Sequence, residues 1–168
     1  PHSPAAMRNR EPILTLLKEI LTKSTNVLEI GHGTGEHALY FSENLPHLTW
    51  QPADTHQYNW ILEEKIKTQE IKNLCPPIEF EVNDHDLSHY LKKSYEVVYS
   101  ANTLHIMSED HAKKFCKNIH KFTQSKLLLY GPFKFHGKFT SLSNQDFDQS
   151  LKSRDERMGI RDFKDIEK

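Results

Sequence analysis

Residues 27–35 read VLEIGHGTG, an apolar run that ends in three glycines spaced two apart. Such a strand and turn let the backbone approach a ligand closely, because glycine lacks a side chain and tolerates left-handed conformations. A second apolar run, residues 48–54, ends in Asp54. A carboxylate at the end of the next strand can accept hydrogen bonds from the two hydroxyls of a ribose. The two features together predict an enzyme site for an adenosyl cofactor.

Short apolar runs alternate with helical patterns along the chain. Strands are predicted at residues 26–30, 48–54, 78–82, 95–101 and 126–130. Helices are predicted at residues 10–21 with Pro12 in the first turn, 36–45, 58–71, after the N-cap Ser108, and around Phe147 and Leu151. This alternation is typical of an α/β fold with a mostly parallel, Rossmann-like sheet and helices on both faces. Ligands of such sheets bind beyond the carboxyl ends of the strands.

Composition limits the classes of partner. The length of 168 residues predicts one domain. Lysine plus arginine (22) nearly cancels aspartate plus glutamate (23), so no overall field favours nucleic acid or membrane phosphates. Two cysteines make no disulfide framework, and no signal peptide or membrane-length apolar run is present, so we expect a cytoplasmic protein.

The glycine turn departs from two well-known nucleotide motifs. A nicotinamide fingerprint has a third glycine where this chain has Glu36, and a carboxylate there would repel pyrophosphate. This argues against an NAD-dependent oxidoreductase without excluding it. The P-loop pattern also fails, because no Gly-Lys-Ser or Gly-Lys-Thr follows.

Glu29, two residues before Gly31, makes residues 29–35 resemble motif one of class I S-adenosylmethionine-dependent methyltransferases. Four further stretches resemble a methyltransferase-like protein 26 type family of unknown substrate: residues 3–14, 50–54, 100–106 and 129–133. The resemblance covers nearly the whole chain. It implies the class I methyltransferase fold and S-adenosylmethionine as cofactor, with S-adenosylhomocysteine as product. It does not identify the acceptor, which we expect to be a small molecule.

The resemblance also implies roles for individual residues. The methionine part would be bordered by Glu29, Gly31, Gly33 and Gly35. Asp54 would hold the ribose, Asn83 and Asp84 would flank the adenine, and Asn102 would face the sulfonium. Arg10, with Arg8 and Asn9, precedes the first predicted helix and can pair with the cofactor carboxylate or lie on the surface. His32 stands where motif one commonly has a small residue, so its ring would project near the cofactor or into solvent.

Several of these residues have a plainer alternative. The glycines can serve only the turn, Asp54 can cap the following helix, and Asn102 can hydrogen-bond backbone in a turn. A metal site could be formed by Asp84, His85, Asp86 and His89, but two histidines four apart among carboxylates more often solvate a loop. We therefore predict no metal.

Methyl transfer needs chiefly alignment of the acceptor with the methyl group. If the acceptor must lose a proton, His105 after the fourth strand is the best candidate for the base, although a hydrogen-bonded loop histidine is an equal alternative. Asn102 is the second candidate catalytic residue. An acceptor pocket could be lined by Tyr130, Phe133 and Phe135, which can equally be core residues. Methyltransferases that act on adenine amines or glutamine amides typically carry an Asn or Asp followed by Pro-Pro and an aromatic residue at the end of the fourth strand. Residues 100–104 lack this motif, which disfavours those acceptors.

The end of the chain carries a further expectation. Class I methyltransferases finish with an antiparallel hairpin after the fifth strand, whereas residues 162–168 read as the start of a helix. We expect that hairpin to be absent and the domain, residues 1–168, to be C-terminally incomplete. The fifth strand would then be an exposed edge, covered by a missing segment or in a homodimer. Because no diagnostic acceptor motif is present, a non-catalytic adenosyl-binding or scaffold protein is the main rival.

Overall fold

The centre of the molecule is a parallel sheet. The computed structural model describes residues 2–81, 94–123 and 125–167. The five strands are β1 (Thr25–Ile30), β2 (Leu48–Asp54), β3 (Ile78–Glu79), β4 (Val97–Ala101) and β5 (Lys126–Tyr130). They lie in the order β3-β2-β1-β4-β5, and every neighbouring pair is parallel. The strand order reverses between β1 and β4, which is where such sheets form a ligand crevice.

Helices cover both faces of the sheet, as predicted. They are α1 (Pro4–Ile20), α2 (Glu36–Asn44), α3 (His56–Ile66), α4 (Glu109–Asn118), α5 (Leu142–Arg154) and α6 (Phe163–Ile166). Side chains of α1, α2 and α3 pack with Val27 and Tyr99 in one core. Side chains of α4 and α6 pack with Leu28 and Val98 in the other. Neighbouring residues of β1 thus point to opposite faces, so a continuous apolar strand is buried on both sides.

Several predicted boundaries were wrong. Helix α1 begins at Pro4 rather than Arg10, because Ser3 Oγ accepts a hydrogen bond from Ala6 N (3.3 Å) and proline is favoured in a first turn. Pro12 therefore lies in the helix interior, where it cannot donate to the carbonyl of Arg8. Helix α3 ends at Ile66, short of residue 71, and β3 spans two residues.

The sheet ends at β5. Within the described residues no strand pairs with its outer edge. The chain continues into a separate antiparallel hairpin of β6 (Lys134–Phe135) and β7 (Lys138–Phe139), which does not join the sheet. A hairpin thus does follow β5, and in the described part of the chain it is separate from the sheet. Among the described residues, no helix combines the length and the apolar character needed to cross a bilayer.

Candidate functional site

The three glycines after β1 serve different purposes. All have positive φ: +78° at Gly31, +56° at Gly33 and +85° at Gly35. A Cβ on Gly31 would lie 2.7 Å from the side chain of Thr103, and one on Gly35 would lie 2.6 Å from Leu62 Cδ1. A Cβ on Gly33 would meet nothing within 4 Å. Gly31 and Gly35 are therefore required by packing, whereas Gly33 borders open space.

That open space is a crevice of about 180 Å³ at the carboxyl ends of β1, β2 and β4. The structure brings five predicted residues together in its lining, which are Glu29, Gly31, Gly33, Asp54 and Asn102. Gly35 lies at the start of α2, packed on Leu62. The predicted residues Asn83 and Asp84, and the metal alternative with His85, Asp86 and His89, lie outside the described residues.

Asp54 joins the end of β2 to the glycine turn. Its Oδ2 accepts a hydrogen bond from Gly33 N (2.8 Å), and its Oδ1 accepts one from Thr55 N (2.7 Å). The N-cap position of α3 is occupied by Thr55, so Asp54 is not the residue that caps this helix. An ionised carboxylate has about four acceptor sites, so capacity for roughly two more donors remains. Two ribose hydroxyls would need that number.

His32 is buried and packs toward α3. Its Nε2 lies 2.8 Å from Asn59 Oδ1 and its Nδ1 lies 3.0 Å from the carbonyl oxygen of Gly33. Asn59 in turn donates from Nδ2 to the carbonyl oxygen of Asp54 (3.0 Å). The ring thus lines the crevice and does not project into solvent, which corrects one of the two predicted positions. It fixes the glycine turn against the end of β2.

The floor of the crevice holds two buried groups that titrate. Glu29 is 2% exposed, and burial raises its pKa to about 8 although Trp50 Nε1 donates to Oε2 (2.7 Å). Burial also lowers the pKa of His37 to about 4. The His37 ring lies between Asn9 Oδ1 (2.7 Å from Nε2) and the Tyr99 hydroxyl (3.0 Å from Nδ1). Both groups are therefore uncharged at neutral pH.

Glu36 stays charged at the edge of the same crevice. Burial alone would raise its pKa, but hydrogen bonds from Thr34 and Lys65 hold that pKa below its usual value. Lys65 Nζ lies 3.1 Å from Glu36 Oε1, and Thr34 Oγ1 donates to Oε2 (2.6 Å). This carboxylate occupies the first turn of α2, where the pyrophosphate of a dinucleotide would rest. The arrangement strengthens the argument against a nicotinamide cofactor.

Arg10 is not brought to the crevice. Its guanidinium lies over the ring of Tyr40, 4.4 Å from the centroid, and Nη1 lies 3.3 Å from Met7 Sδ. It is absent from the crevice lining, so its contact with a cofactor stays a prediction. Sequence reasoning instead missed Ser3 and Ala6, which do line the crevice. They were overlooked because the helix was expected to begin at residue 10.

Asn102 stands between the crevice and a second cavity. Its φ is +56°, a left-handed conformation that asparagine tolerates better than most residues, and its N donates to the carbonyl oxygen of Tyr130 (2.8 Å). The second cavity, of about 620 Å³, is here called the outer cavity. Its lining includes Arg8, Asn102, His105, Tyr130, Asn144 and Phe147. Asn102 thus belongs to both.

His105 lies in the outer cavity and is 7% exposed. Its ring meets the edge of Phe147 at a centroid distance of 5.2 Å. Burial, with a smaller effect from Arg161, lowers its pKa to about 4. In the part of the chain that is described, no protein group hydrogen-bonds to either ring nitrogen, so both interpretations of His105 stay predictions.

The aromatic residues after β5 divide into two groups. Tyr130 lines the outer cavity, as one of the sequence hypotheses expects. Phe133 and Phe135 instead contact Phe163 of α6, with centroid distances of 6.0 and 5.5 Å. Both are absent from the lining of the outer cavity. Phe133 packs against the core, whereas Phe135 is 47% exposed, so the core alternative holds only for Phe133.

The fold is similar to that of solved structures of methyltransferases. An O-methyltransferase family protein from Burkholderia thailandensis matches with a TM-score of 0.80 and 16% identity over 96% of this chain and 49% of that one. Human N-acetylserotonin methyltransferase in complex with S-adenosylmethionine matches with a TM-score of 0.72 and 14% identity over 94% and 43%. A structure of PigF with S-adenosylhomocysteine matches with a TM-score of 0.75 and 13% identity over 92% and 46%.

These matches establish the methyltransferase fold. The identities are too low to carry an activity, and the chain spans about half the length of each of these proteins. A family model described as protein of unknown function (DUF938) matches residues 1–168. The chain therefore belongs to the DUF938 family.

Proposed function

We propose that this protein binds S-adenosylmethionine in the crevice and transfers its methyl group to a small molecule. One observation carries the proposal: the bare backbone at Gly33 and the carboxylate of Asp54 meet in one crevice at the switch point of the sheet. Solved proteins of the same fold that contain S-adenosylmethionine or S-adenosylhomocysteine support it. That the chain is related to the methyltransferase-like protein 26 type family, which its sequence resembles, is part of the same proposal.

The residues present fit such a ligand. Asp54 retains acceptor capacity for a ribose, and Gly33 leaves room that any side chain would fill. The first turn of α1 borders the crevice through Ser3 and Ala6, and a helix N-terminus favours a carboxylate such as that of the methionine part. The described crevice is smaller than the roughly 300–1,000 Å³ of most ligand sites. The predicted adenine contacts, Asn83 and Asp84, lie outside the described residues.

When bound, S-adenosylmethionine supplies an electrophilic methyl group on a positively charged sulfur. Asn102 lies where the crevice meets the outer cavity, so it is placed to position the methyl group toward an acceptor. Orientation of this kind can supply much of the acceleration of a displacement at carbon. The proposal needs no metal.

Calorimetry with S-adenosylhomocysteine tests cofactor binding. In Asp54→Asn the side-chain oxygen can still accept from Gly33 N, but the amide nitrogen replaces the oxygen that accepts from Thr55 N and would also accept from the ribose. We expect affinity to fall by about tenfold or more, because loss of a buried hydrogen-bond partner costs roughly 1–3 kcal/mol. Asp110→Asn, in the exposed first turn of α4, is the matched control and should bind like the unchanged protein. Equal affinity of a folded Asp54→Asn variant would refute the assignment.

Two rivals give different results in the same experiments. A non-catalytic adenosyl-binding or scaffold protein would bind S-adenosylhomocysteine but release no methyl group to any acceptor. An NAD-dependent oxidoreductase would bind NAD more tightly than S-adenosylhomocysteine, which the charged Glu36 disfavours. Homodimer formation stays a prediction that the exposed edge of β5 motivates.

A further inference from the structure

The outer cavity adjoins the crevice at one residue. Asn102 lines both spaces, and the first turns of α1 border both, with Ala6 on the crevice side and Arg8 on the outer side. A molecule in the outer cavity would therefore approach a methyl donor in the crevice beside Asn102. At about 620 Å³ the outer cavity is large enough for a small organic ligand.

The lining of this cavity combines flat surfaces with one positive charge. Tyr130 and Phe147 contribute aromatic rings, both partly exposed. Arg8 contributes a guanidinium, and no aspartate or glutamate is found among the lining residues that the structure describes. Arg8 is exposed and forms no ion pair with any described residue. Aromatic rings favour a planar ligand, and an arginine without a carboxylate partner favours an anionic group on it.

His105 adds an available proton acceptor. Neither of its ring nitrogens has a protein hydrogen-bond partner among the described residues, and the residue lines the outer cavity. The low pKa that burial imposes keeps the ring neutral at physiological pH, with one nitrogen free to accept a hydrogen bond. A ligand hydroxyl donating to that nitrogen would supply the missing hydrogen bond.

We propose that the outer cavity binds a planar aromatic acid that carries a hydroxyl group, with Arg8 pairing with the anionic group and His105 accepting the hydroxyl proton. Transfer would form a bond between the hydroxyl oxygen and the methyl carbon of a sulfonium donor. The carbon–sulfur bond would break with its electron pair remaining on sulfur, and the hydroxyl proton would pass to the His105 ring. The transfer step rests on the proposed function, whereas binding of the acid does not.

Binding without cofactor tests the site alone. The probes are 4-hydroxybenzoate, benzoate, phenol and cyclohexanecarboxylate, and the readout is the ring resonances of isotope-labelled His105 by NMR. We expect 4-hydroxybenzoate to bind tightest and to shift these resonances most, because it alone carries the ring, the anion and the hydroxyl. Arg8→Ala should weaken its binding about tenfold while leaving phenol unchanged. Arg154→Ala, at the exposed end of α5, is the matched control and should have no effect.

Two results would overturn the site: equal affinity for all four probes, or unchanged affinity for 4-hydroxybenzoate in Arg8→Ala. His105→Gln separates positioning from proton acceptance, because the amide can still hydrogen-bond the hydroxyl but takes up no proton at neutral pH. It should bind 4-hydroxybenzoate within about threefold of the unchanged protein and lose most of the methyl transfer. Full transfer in this variant would refute the role of His105. Loss of S-adenosylhomocysteine binding, measured separately, would refute only the proposed function.

Discussion

The crevice and the outer cavity lie side by side but are built differently. In the crevice the polar groups largely satisfy one another: Asp54 accepts from Gly33, His32 meets Asn59, and Trp50 donates to Glu29. In the outer cavity Arg8 and His105 have no such partners among the described residues. The crevice is thus held in shape by the protein itself, whereas the outer cavity leaves the side chains of Arg8 and His105 available for a ligand.

The largest expected effect concerns the floor of the crevice, at Glu29. Because burial raises its native pKa to about 8, the folded protein binds one more proton than the unfolded chain between about pH 4.5 and pH 8. Stability from this group is therefore lost as pH rises through that window. Glu29→Gln has no proton to lose at this position. Relative to that variant, the unfolding equilibrium constant of the unchanged protein should rise by up to about tenfold per pH unit across this window.

Urea unfolding of both proteins at pH 5, 6, 7 and 8 measures this difference. Glu43→Gln, on an exposed position of α2, should show no such pH-dependent gap. If the difference in the free energy of unfolding between Glu29→Gln and the unchanged protein stays constant over this pH range, the carboxyl group of Glu29 is not held neutral. The description of an uncharged crevice floor would then fail.

A second, smaller effect is expected at Gly31. Its positive φ disfavours alanine, and the added Cβ would lie 2.7 Å from Thr103, a branched side chain that hydrogen-bonds to the Ala101 carbonyl. Gly31→Ala should cost about 3 kcal/mol, from backbone strain and overpacking together. Thermal and urea unfolding would measure the loss. A cost below about 1 kcal/mol would show that the turn yields more easily than the crowded geometry implies.

Gly33 should behave in the opposite way and gives the smallest effect on stability. Its Cβ would meet no atom within 4 Å, so Gly33→Ala should lose only about 1 kcal/mol, from the positive φ. The added methyl would instead occupy space assigned to the ligand. We expect about tenfold weaker binding of S-adenosylhomocysteine by calorimetry. A variant that is destabilised as much as Gly31→Ala, and binds normally, would reverse the distinction drawn between these two glycines.

The sequence predicted the parts of the fold that local patterns encode. The limits of β2 and β5 match because both are short apolar runs with clear ends, and Ser108 caps α4 as expected. The start of α1 was missed because its signal lies in Ser3 and Pro4 rather than in the apolar stripe. In the site, Asp54 and the glycines followed from their spacing after a strand. The partners Asn59 and Trp50 did not, because they contact the crevice residues His32 and Glu29 only through tertiary packing.

Arg8 and Arg10 point in different directions for a simple geometric reason. In a helix, residues two positions apart point to nearly opposite sides. Both arginines were predicted to precede the helix, so the sequence offered no basis for assigning their side chains to different sides. Within α1, Arg8 points to the outer cavity and Arg10 to Tyr40 on α2.

Helix α1 forms part of the wall of both spaces, through Ser3 and Ala6 on one side and Arg8 and Asn9 on the other. A rigid-body shift of this helix would alter the two volumes together. If a ligand in one space shifts the helix, it must change the affinity of the other space for its own ligand. The two ligands affect each other's affinity by the same factor. The size of this coupling would depend on how firmly α2 holds α1 through the contact between His37 and Asn9.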